Sequence, residues 1–437
     1  TKENYMSAGI CIMNKNAIAL AADSAVTVGN HLAIHNSANK LFNVSRVAPI
    51  GVIIYANATF MNIPFELILK QYKKQLADNT FSTLQEYVKD FFQYLIQNVD
   101  LFHFKTNEVS YITSVVTDLL SGLSGDYQRL LREKISKVNR ELTPEEIENI
   151  QDESIRITIN YIDQQNILEN SHFYEYLKDQ YIDTIHHLIT TTIPWISSKN
   201  LSLLSEEICK LFDKKFFRNN FTGLTFAGYG ENEIFPNMIH VHLGGIINND
   251  LRYTIIETKN IQENDPAFIL PLAQTDVMQT FLFGINDQLL NEIARKTEEQ
   301  VHFCFNNLSP SYFSDGKKDE VRQIILTSIQ PIINQIALTA NQNYLLPITQ
   351  SISSLPIEEL ALLAESMINI TSLRRKVALD NNIGTVGGPI DVAIITKSDG
   401  FIWIKRKHYF KQEYNPQYYY SHYWNIGGNF NGEPKHM

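Results

Sequence analysis

The chain has 437 residues, which allows one large domain or two to three smaller ones, and 44% of them are hydrophobic, so a substantial core is possible. Its formal net charge is −10 and it has no long basic block, a composition that argues against nucleic-acid binding. No apolar run reaches the roughly 18 residues that a membrane-spanning helix requires, so we expect no membrane partner.

The cysteines and the N-terminus bear on the compartment. Cys11, Cys209 and Cys304 are too few and too scattered for a disulfide framework or a zinc site. Residues 1–6 lack the basic and apolar regions of a signal peptide. The chain also lacks a His-Glu-x-x-His motif, a phosphate-binding glycine loop and a dinucleotide fingerprint. We therefore expect a cytoplasmic protein without a metal or cofactor.

The first elements in chain order are strands. Residues 8–13 and 17–22 are apolar and flank the polar stretch 14–16 (Asn-Lys-Asn), which predicts a β-hairpin. Residues 48–56 are also apolar and rich in β-branched side chains, as expected of a buried strand.

From about residue 62 to 215 the pattern is helical. Pro64 suits a first helical turn, and Thr83 precedes a periodic apolar stretch that extends to Phe102. Residues 143–146 (Thr-Pro-Glu-Glu) have the form of a capping box. Since the region contains no Gly-rich linker, we interpret about 75–215 as a helical insertion packed on the core.

Strands return further along the chain, followed by helices and a final hairpin. The predicted strands are 221–230, 238–243 and 252–258. The predicted helices lie within 275–345, the core of an extended helical region of about 280–350, and within 356–380. The hairpin is 391–396 with 401–405, and an aromatic-rich tail follows at 408–437.

The strands segregate from the helices instead of alternating with them one by one. This order favours an α+β fold with two antiparallel sheets and helices outside them. We expect residues 1–437 to form a single domain with the two helical insertions.

A family resemblance supports this architecture. Residues 19–29 (Ala-Leu-Ala-Ala-Asp-Ser-Ala-Val-Thr-Val-Gly), with Lys40 beyond them, resemble the start of proteasome β-type subunits, which are N-terminal-nucleophile hydrolases. The resemblance is specific over residues 7–60 and weaker at 221–258 and 387–403. It implies a four-layer α-β-β-α sandwich, a peptide or amide substrate and a homo-oligomer.

The resemblance also implies catalytic residues. Asp23 matches the aspartate that supports the catalytic lysine, and Lys40 matches that lysine. Counting back from Asp23, the nucleophile position falls on Ser7, whose α-amine is free only if the Met6–Ser7 bond is cleaved. Thr1, a hydroxyl residue at the chain start, is the fallback nucleophile.

Substrate-binding positions follow from the same alignment. Thr27 matches the residue whose backbone binds the peptide, with Gly29 shortly after it. Asn57 stands where the family has its oxyanion glycine. Gln274 or Thr275 corresponds to a serine near the nucleophile. The family's supporting Asp and Ser before the last Gly-Gly pair fall near Ile383 and Val386, which lack polar side chains.

The chemistry implied is acyl transfer. A hydroxyl attacks a carbonyl, the α-amine (pKa about 8) takes its proton, and a lysine held by an aspartate adds positive charge. Two alternatives stay open. One is an inactive relative that acts as a scaffold or binding protein, with the Asp23–Lys40 pair purely structural; the other is a non-peptidase amidase on the same fold.

The remaining candidates are weaker. His186 with His187, and His240 with His242, lack metal-ligand companions and are interpreted as core or surface histidines. The basic run 405–408 is either a solvated strand end or a contact for an anionic partner. The Tyr-rich tail is either an interface or a wrap around its own chain.

Overall fold

The computed structural model describes residues 8–28, 33–35, 38–98, 104–138, 140–308, 312, 317–377, 387–408 and 410–416. The strands are Ala8–Asn14 (β1), Ile18–Ala22 (β2), Val26–Val28 (β3), Ala33–His35 (β4), Leu41–Asn43 (β5), Ile50–Ala56 (β6), Thr59–Phe60 (β7), Ile63–Pro64 (β8), Thr222–Gly228 (β9), Asn237–Ile247 (β10), Asp250–Asn260 (β11), Ala267–Ala273 (β12), Asp391–Thr396 (β13) and Gly400–Lys405 (β14).

The α-helices are Phe65–Leu76 (α1), Leu84–Gln97 (α2), Phe104–Val138 (α3), Pro144–Asp163 (α4), Tyr174–Thr192 (α5), Ser198–Leu211 (α6), Asp276–Phe283 (α7), Asp287–Asn307 (α8), Lys317–Ala340 (α9), Leu346–Ser353 (α10) and Ile357–Val377 (α11). A π-helical turn at Asn341–Leu345 joins α9 to α10, and a 3-10 turn lies at Gln412–Tyr414.

Two antiparallel five-stranded sheets form the centre of the molecule. Sheet A has the order β12-β1-β2-β13-β14, and sheet B has the order β11-β10-β9-β6-β5. Strands from both ends of the sequence therefore lie in one sheet, because β2 pairs with β13. The predicted N-terminal hairpin is confirmed, with Ile10 opposite Ala21.

The inner faces of the two sheets pack against each other. Side chains of Cys11, Leu20, Ile53 and Ile395 belong to one buried cluster that spans both sheets. The sheets approach closely at Gly51, where an added Cβ would lie 2.8 Å from Leu20 Cδ1 and 2.9 Å from Ile395 Cδ1. Such close packing leaves no room for a side chain at this point.

Helices cover both outer faces. On sheet A, alternate residues such as Ile10 and Ile394 pack on Met367 of α11 and on side chains of α7 and α10. On sheet B, the outward residues, including Phe226, pack on α1 and α2 through side chains such as Phe91. The predicted four-layer α-β-β-α sandwich is confirmed.

Local sequence signals explain where several helices begin. The Thr143 side chain accepts a hydrogen bond from Glu146 N, while the Glu146 carboxylate accepts one from Thr143 N, so the predicted capping box is present. Thr83 caps α2 in the same way through Glu86 N. Helix α2 ends at Gln97, and the rest of the predicted stretch to residue 102 falls largely outside the described residues.

The sequence pattern does not indicate strand β12. It pairs with β1 at the edge of sheet A and contains Pro271, which lies opposite Ile10. Proline lacks a backbone donor and is tolerated only where one side of a strand is unpaired, so it obscures an edge strand in the sequence pattern. The prediction of helix from 275 onward is confirmed by α7, α8 and α9.

Helices α3–α6 share the inner core with the sheets. Arg252 of β11 is fully buried and joins these helices to sheet B. Its guanidinium donates to the carbonyl oxygens of Phe212, Lys214 and Phe216 and to Tyr111 Oη of α3, at 2.8–2.9 Å. A buried arginine with these donors paired fixes the helices against sheet B.

The substitution Gly51→Ala should lower the free energy of unfolding by about 1–3 kcal/mol, because its Cβ overpacks the space between the sheets. Gly125→Ala in α3 is the matched control. Its Cβ meets nothing within 4 Å, so it should stabilise the helix by up to about 1 kcal/mol. Denaturant unfolding of both variants measures the difference, and equal effects would contradict the close sheet packing.

Candidate active site

A buried ion pair joins the two sheets at one end of the sandwich. Asp23 directly follows β2 of sheet A, and Lys40 directly precedes β5 of sheet B. Lys40 Nζ lies 2.6 Å from Asp23 Oδ1, and the residues are only 4% and 1% exposed. The structure thus brings together the two residues that the sequence pattern selects.

The carboxylate of Asp23 accepts four hydrogen bonds. Oδ1 accepts from Lys40 Nζ and, at 2.9 Å, from the backbone N of Ala8. Oδ2 accepts from the backbone N of Gly387 at 3.1 Å and of Ala25 at 3.3 Å. Both oxygens are therefore held in fixed directions, and the start of β1 is tied to the same oxygen as the lysine.

The segment before β13 completes this environment. Ser24 N donates to the Gly387 carbonyl, and the Ser24 hydroxyl donates to the Pro389 carbonyl. Gly388 has a φ of +77°, a left-handed conformation that glycine adopts without strain. The sequence does not mark Ser24 as a site residue, although it stands next to Asp23 in the motif, because its partners lie far away in the sequence.

Burial lowers the pKa of Lys40 below its ordinary value of 10.5, since it penalises the charged form. The neighbouring Asp23 carboxylate opposes this shift, and the charge of Lys407 adds to it. Lys40 also donates to the Ala25 carbonyl. The result is an amine that gives up its proton more readily than an exposed lysine.

A second buried ion pair lies near the first. Asp391 begins β13 opposite Ala22 and accepts from Lys407 through both the backbone N, at 2.8 Å, and Nζ. Lys407 belongs to the basic run 405–408, and within that run Lys405 contacts Glu365. Both lysines therefore have intramolecular carboxylate partners, which the sequence could not reveal because the acids are distant.

Asn57 follows β6, and its surroundings bear on the oxyanion prediction. Ile54 N donates to the Lys40 carbonyl at 2.8 Å, so Asn57 follows shortly after a residue that pairs directly with Lys40. However, the Asn57 backbone N donates to the Phe221 carbonyl at 3.3 Å, and its side chain donates to the Asn219 carbonyl. The backbone N–H expected to bind an oxyanion is therefore already engaged.

Gln274 and Thr275 connect β12 to α7. The last register pair of β12 is Ala8 with Ala273, so Gln274 immediately follows the partner of Ala8. Ala273 has a φ of +65°, which turns the chain away from the sheet. Both residues are half-buried.

The other predicted site residues are described only in part or not at all. Thr27 lies in β3, where the backbone pairs with Ile34 of β4. The predicted nucleophiles Ser7 and Thr1 and the predicted Gly29 lie outside the described residues, as do Ile383 and Val386. Their roles stay predictions.

A polar cluster lies between the sheets near this end. Tyr55 Oη is 2.6 Å from His240 Nε2 and 2.9 Å from His242 Nε2. The Tyr55 ring reaches across Gly223, where an added Cβ would lie 2.1 Å from the ring. The histidines occupy alternate positions of β10 and face the core, in agreement with the interpretation of them as core or surface histidines.

Burial lowers the pKa of His240 to about 4 and that of His242 to about 3, with the proximity of His240 adding to the second shift. Both rings are therefore neutral at pH 7. Glu257 lies opposite His240 on β11, and burial raises the pKa of its carboxyl. Burial and the Glu257 charge together raise the pKa of the Cys11 thiol, which makes that cysteine unreactive.

Among the residues that the structure describes, no group of three or more His, Cys, Asp or Glu side chains is arranged to hold a metal ion. None of the described helices is both long and apolar enough to cross a membrane.

The variant Asp23→Asn should lower the free energy of unfolding by about 3–5 kcal/mol, because it leaves the buried Lys40 amine without its counter-charge. Glu153→Gln, which breaks an exposed pair with Arg156, is the control and should cost less than about 0.5 kcal/mol. Chemical denaturation at neutral pH measures both. A cost below about 1 kcal/mol for Asp23→Asn would refute a stabilising role of the pair.

The histidine cluster predicts a pH dependence of stability. The unfolded chain binds protons near pH 6.5, whereas the folded histidines bind them only near pH 4 and below. The free energy of unfolding should therefore decrease as the pH falls from 6.5 to 4, by on the order of 3 kcal/mol from His240.

The double variant His240→Gln/His242→Gln should flatten this part of the stability profile, as measured by urea unfolding at each pH. His187→Gln, at an exposed position of α5, is the control and should keep the wild-type slope. Identical slopes in all three proteins would show that the cluster does not titrate on unfolding.

Comparisons with known proteins give only distant similarities. No family model matches the chain, and no curated protein matches it. Among solved structures, it is similar to Anbu (ancestral beta-subunit) from Yersinia bercovieri, at 10% identity over 97% of this chain and 100% of the other, with a TM-score of 0.26.

Two further solved structures show the same level of similarity. Anbu from Hyphomicrobium sp. strain MC1 is 9% identical over 97% of this chain and 100% of that chain, with a TM-score of 0.25. The Anbu complex from Pseudomonas aeruginosa, in a helical assembly, is 8% identical over 97% and 98%, with a TM-score of 0.25. These values are too low to transfer a family or a function to this chain.

Proposed function

We propose that the chain is a proteasome-like N-terminal-nucleophile hydrolase that cleaves peptide or amide bonds through an acyl-enzyme on Ser7. The observation that supports this most directly is the shared oxygen of Asp23. Asp23 Oδ1 accepts from Lys40 Nζ at 2.6 Å and from the backbone N of Ala8 at 2.9 Å.

The shared oxygen limits the distance between Lys40 and the start of β1. Ala8 N and Lys40 Nζ can be no farther apart than the sum of their distances to Asp23 Oδ1. The start of β1 at Ala8 therefore lies close to the buried Lys40 amine, which supports the proposal that the residue before Ala8 acts with this lysine.

The proposed reaction has two steps. With the Ser7 α-amine freed by hydrolysis of the Met6–Ser7 bond, that amine accepts the hydroxyl proton as Oγ bonds to the substrate carbonyl carbon. The C–N bond then breaks and the proton passes to the leaving amine. Water attacks the resulting ester, releases the acid product and restores the hydroxyl.

Lys40 acts by its charge in this mechanism. A positive charge near the nucleophile lowers the pKa of both the hydroxyl and the α-amine, so the amine is unprotonated and able to act as a base near neutral pH. Asp23 keeps the ammonium in place despite burial, because it supplies the counter-charge.

One observation favours the second candidate, an inactive scaffold or binding protein. The Asn57 N–H donates to the Phe221 carbonyl at 3.3 Å, so in this conformation it is unable to stabilise an oxyanion. An oxyanion donor typically contributes about 3–4 kcal/mol to acyl transfer. Catalysis through Asn57 would require that its N–H turn from Phe221 toward the substrate.

The proposal extends to the organisation and location of the protein. We propose that residues 1–437 form a single domain with insertions at about 75–215 and 280–350, and that the protein is a homo-oligomer located in the cytoplasm. The three cysteines are all free, which is compatible with a reducing compartment.

Intact-mass analysis of the protein purified from its native cell tests the first requirement. The active protein should begin at Ser7, and an irreversible electrophile directed at N-terminal hydroxyl nucleophiles should add one equivalent of mass, mapped to Ser7. Ser7→Ala should abolish labelling and lower kcat/KM on peptide substrates by at least about 1000-fold. Retention of residues 1–6 in every molecule would exclude catalysis by the Ser7 amine.

Two controls separate the alternatives. Thr1→Ala should leave labelling and activity unchanged, since residues 1–6 are lost; loss of labelling only in this variant would move the nucleophile to Thr1. Lys40→Arg keeps the charge but changes the donor geometry, and it should reduce the labelling rate while far-UV circular dichroism shows an intact fold. Full activity in both Ser7→Ala and Lys40→Arg would reject the site.

A further inference from the structure

The helical region after α7 contains an unusual stretch without charge. From Gln323 to Ile357 the sequence has no Asp, Glu, Lys, Arg or His. Most of α9 lies in this stretch and carries isoleucines on several sides. A helix of this composition is normally buried, yet Ile332 of α9 is 57% exposed.

Helix α8 covers only part of the apolar surface of α9. The two consecutive helices pack against each other, and the buried side chains are Leu290 and Phe305 on α8 and Ile329, Ile333 and Ala340 on α9. Lys318 Nζ at the start of α9 donates to the carbonyl of Leu308 at the end of α8, so the two packed helices run antiparallel. A two-helix hairpin has one contact line and leaves both of its broad faces open.

The two broad faces of this hairpin differ. At 100° per residue, Ile325, Ile332 and Ile336 lie on one stripe of α9 beside the buried residues, and Leu289 and Ile293 lie on the corresponding side of α8. All five side chains are exposed, and we call them the open face. In each helix, the exposed stripe is rotated away from the contact line in the same direction, when the rotation is followed from the N-terminus to the C-terminus of that helix. Because the two helices are antiparallel, both stripes then lie on the same side of the pair.

The opposite face is polar. It carries Arg295 and Glu298 of α8 and Gln330 and Asn334 of α9, all exposed. Arg295 bonds within its own helix to Glu292 and Glu299, and Gln330 donates to Asn334. The polar face is therefore satisfied by local contacts and water, whereas the five side chains of the open face have no polar atoms.

We infer that the open face is a self-association surface, on which a second copy of this chain packs about a two-fold axis to form a four-helix bundle. An uncharged apolar surface gains nothing from a charged partner, whereas it matches a second copy of itself in an isologous dimer. An anionic membrane is disfavoured, because the chain carries a net charge of −10.

The area available agrees with this assignment. Five side chains that are between 36% and 57% exposed carry on the order of 400 Å² of apolar surface, within the range of the largest patches on ordinary monomers, which are often functional. Polar residues beside the stripe, among them Ser328, Gln335 and Thr339, are also exposed. With this rim the surface approaches the ~800 Å² per partner that a stable interface buries.

The inference rests on the homo-oligomer within the proposed function, but not on the hydrolytic chemistry. Sedimentation equilibrium of the full chain tests it over a range of protein concentrations. Wild type should sediment as a dimer or an even multiple of it. Ile332→Glu and Ile325→Glu should each weaken the association at this face at least about 100-fold, because each buries an unpaired carboxylate in the bundle.

Gln330→Glu is the matched control, since it adds the same charge to the polar face of the same helix and should leave the mass unchanged. Monitored by circular dichroism, the monomers of wild type and of each variant should unfold at the same temperature, because the substituted side chains are exposed. If wild type assembles and both isoleucine variants have the same mass as wild type, the proposed surface is wrong and the proposed oligomer stands. If wild type is a monomer, both the surface and the proposed oligomer are wrong. The hydrolytic function is tested independently, by measuring peptide hydrolysis.

Discussion

The Asp23 carboxylate is where the two sheets and the two ends of the chain are held together. It accepts from Ala8 at the start of β1, from Lys40 at the start of β5 and from Gly387 before β13. A carboxylate that is almost fully buried is tolerated only when opposite charge and hydrogen bonds replace the water it has lost. Each of these donors is therefore constrained by the others, and the geometry at the end of the sandwich follows from a single charge.

The space between the sheets is mainly apolar, which makes its polar groups informative. The ion pair lies at the end of this space, and the Tyr55, His240 and His242 cluster lies within it. The ion pair is stabilised because its charges compensate each other, whereas the histidines remain neutral because burial lowers their pKa values. The ion pair therefore retains a positive charge at the end of the core, and the histidine cluster adds none to its interior.

The two groups of helices bury their apolar side chains to different extents. Helices α3–α6 pack their apolar side chains into the core that they share with the sheets, and Arg252 bonds the segment after α6 to β11. Helices α8 and α9 cover each other along one line and leave isoleucines such as Ile332 exposed. The first group is thus covered within the chain, while the second has an apolar face that a partner can cover.

The sequence by itself determined the elements whose signals are local: the β1–β2 hairpin, the capping box at Thr143 and the order of strands and helices, hence the layered fold. It also selected Asp23 and Lys40 through a motif. Only the tertiary structure decided the edge strand β12, in which Pro271 obscures the pattern, the Asp391 partner of Lys407 and the occupation of the Asn57 N–H. These depend on groups distant in the sequence, and propensity and periodicity report only on a residue's neighbours along the chain, not on what it meets after folding.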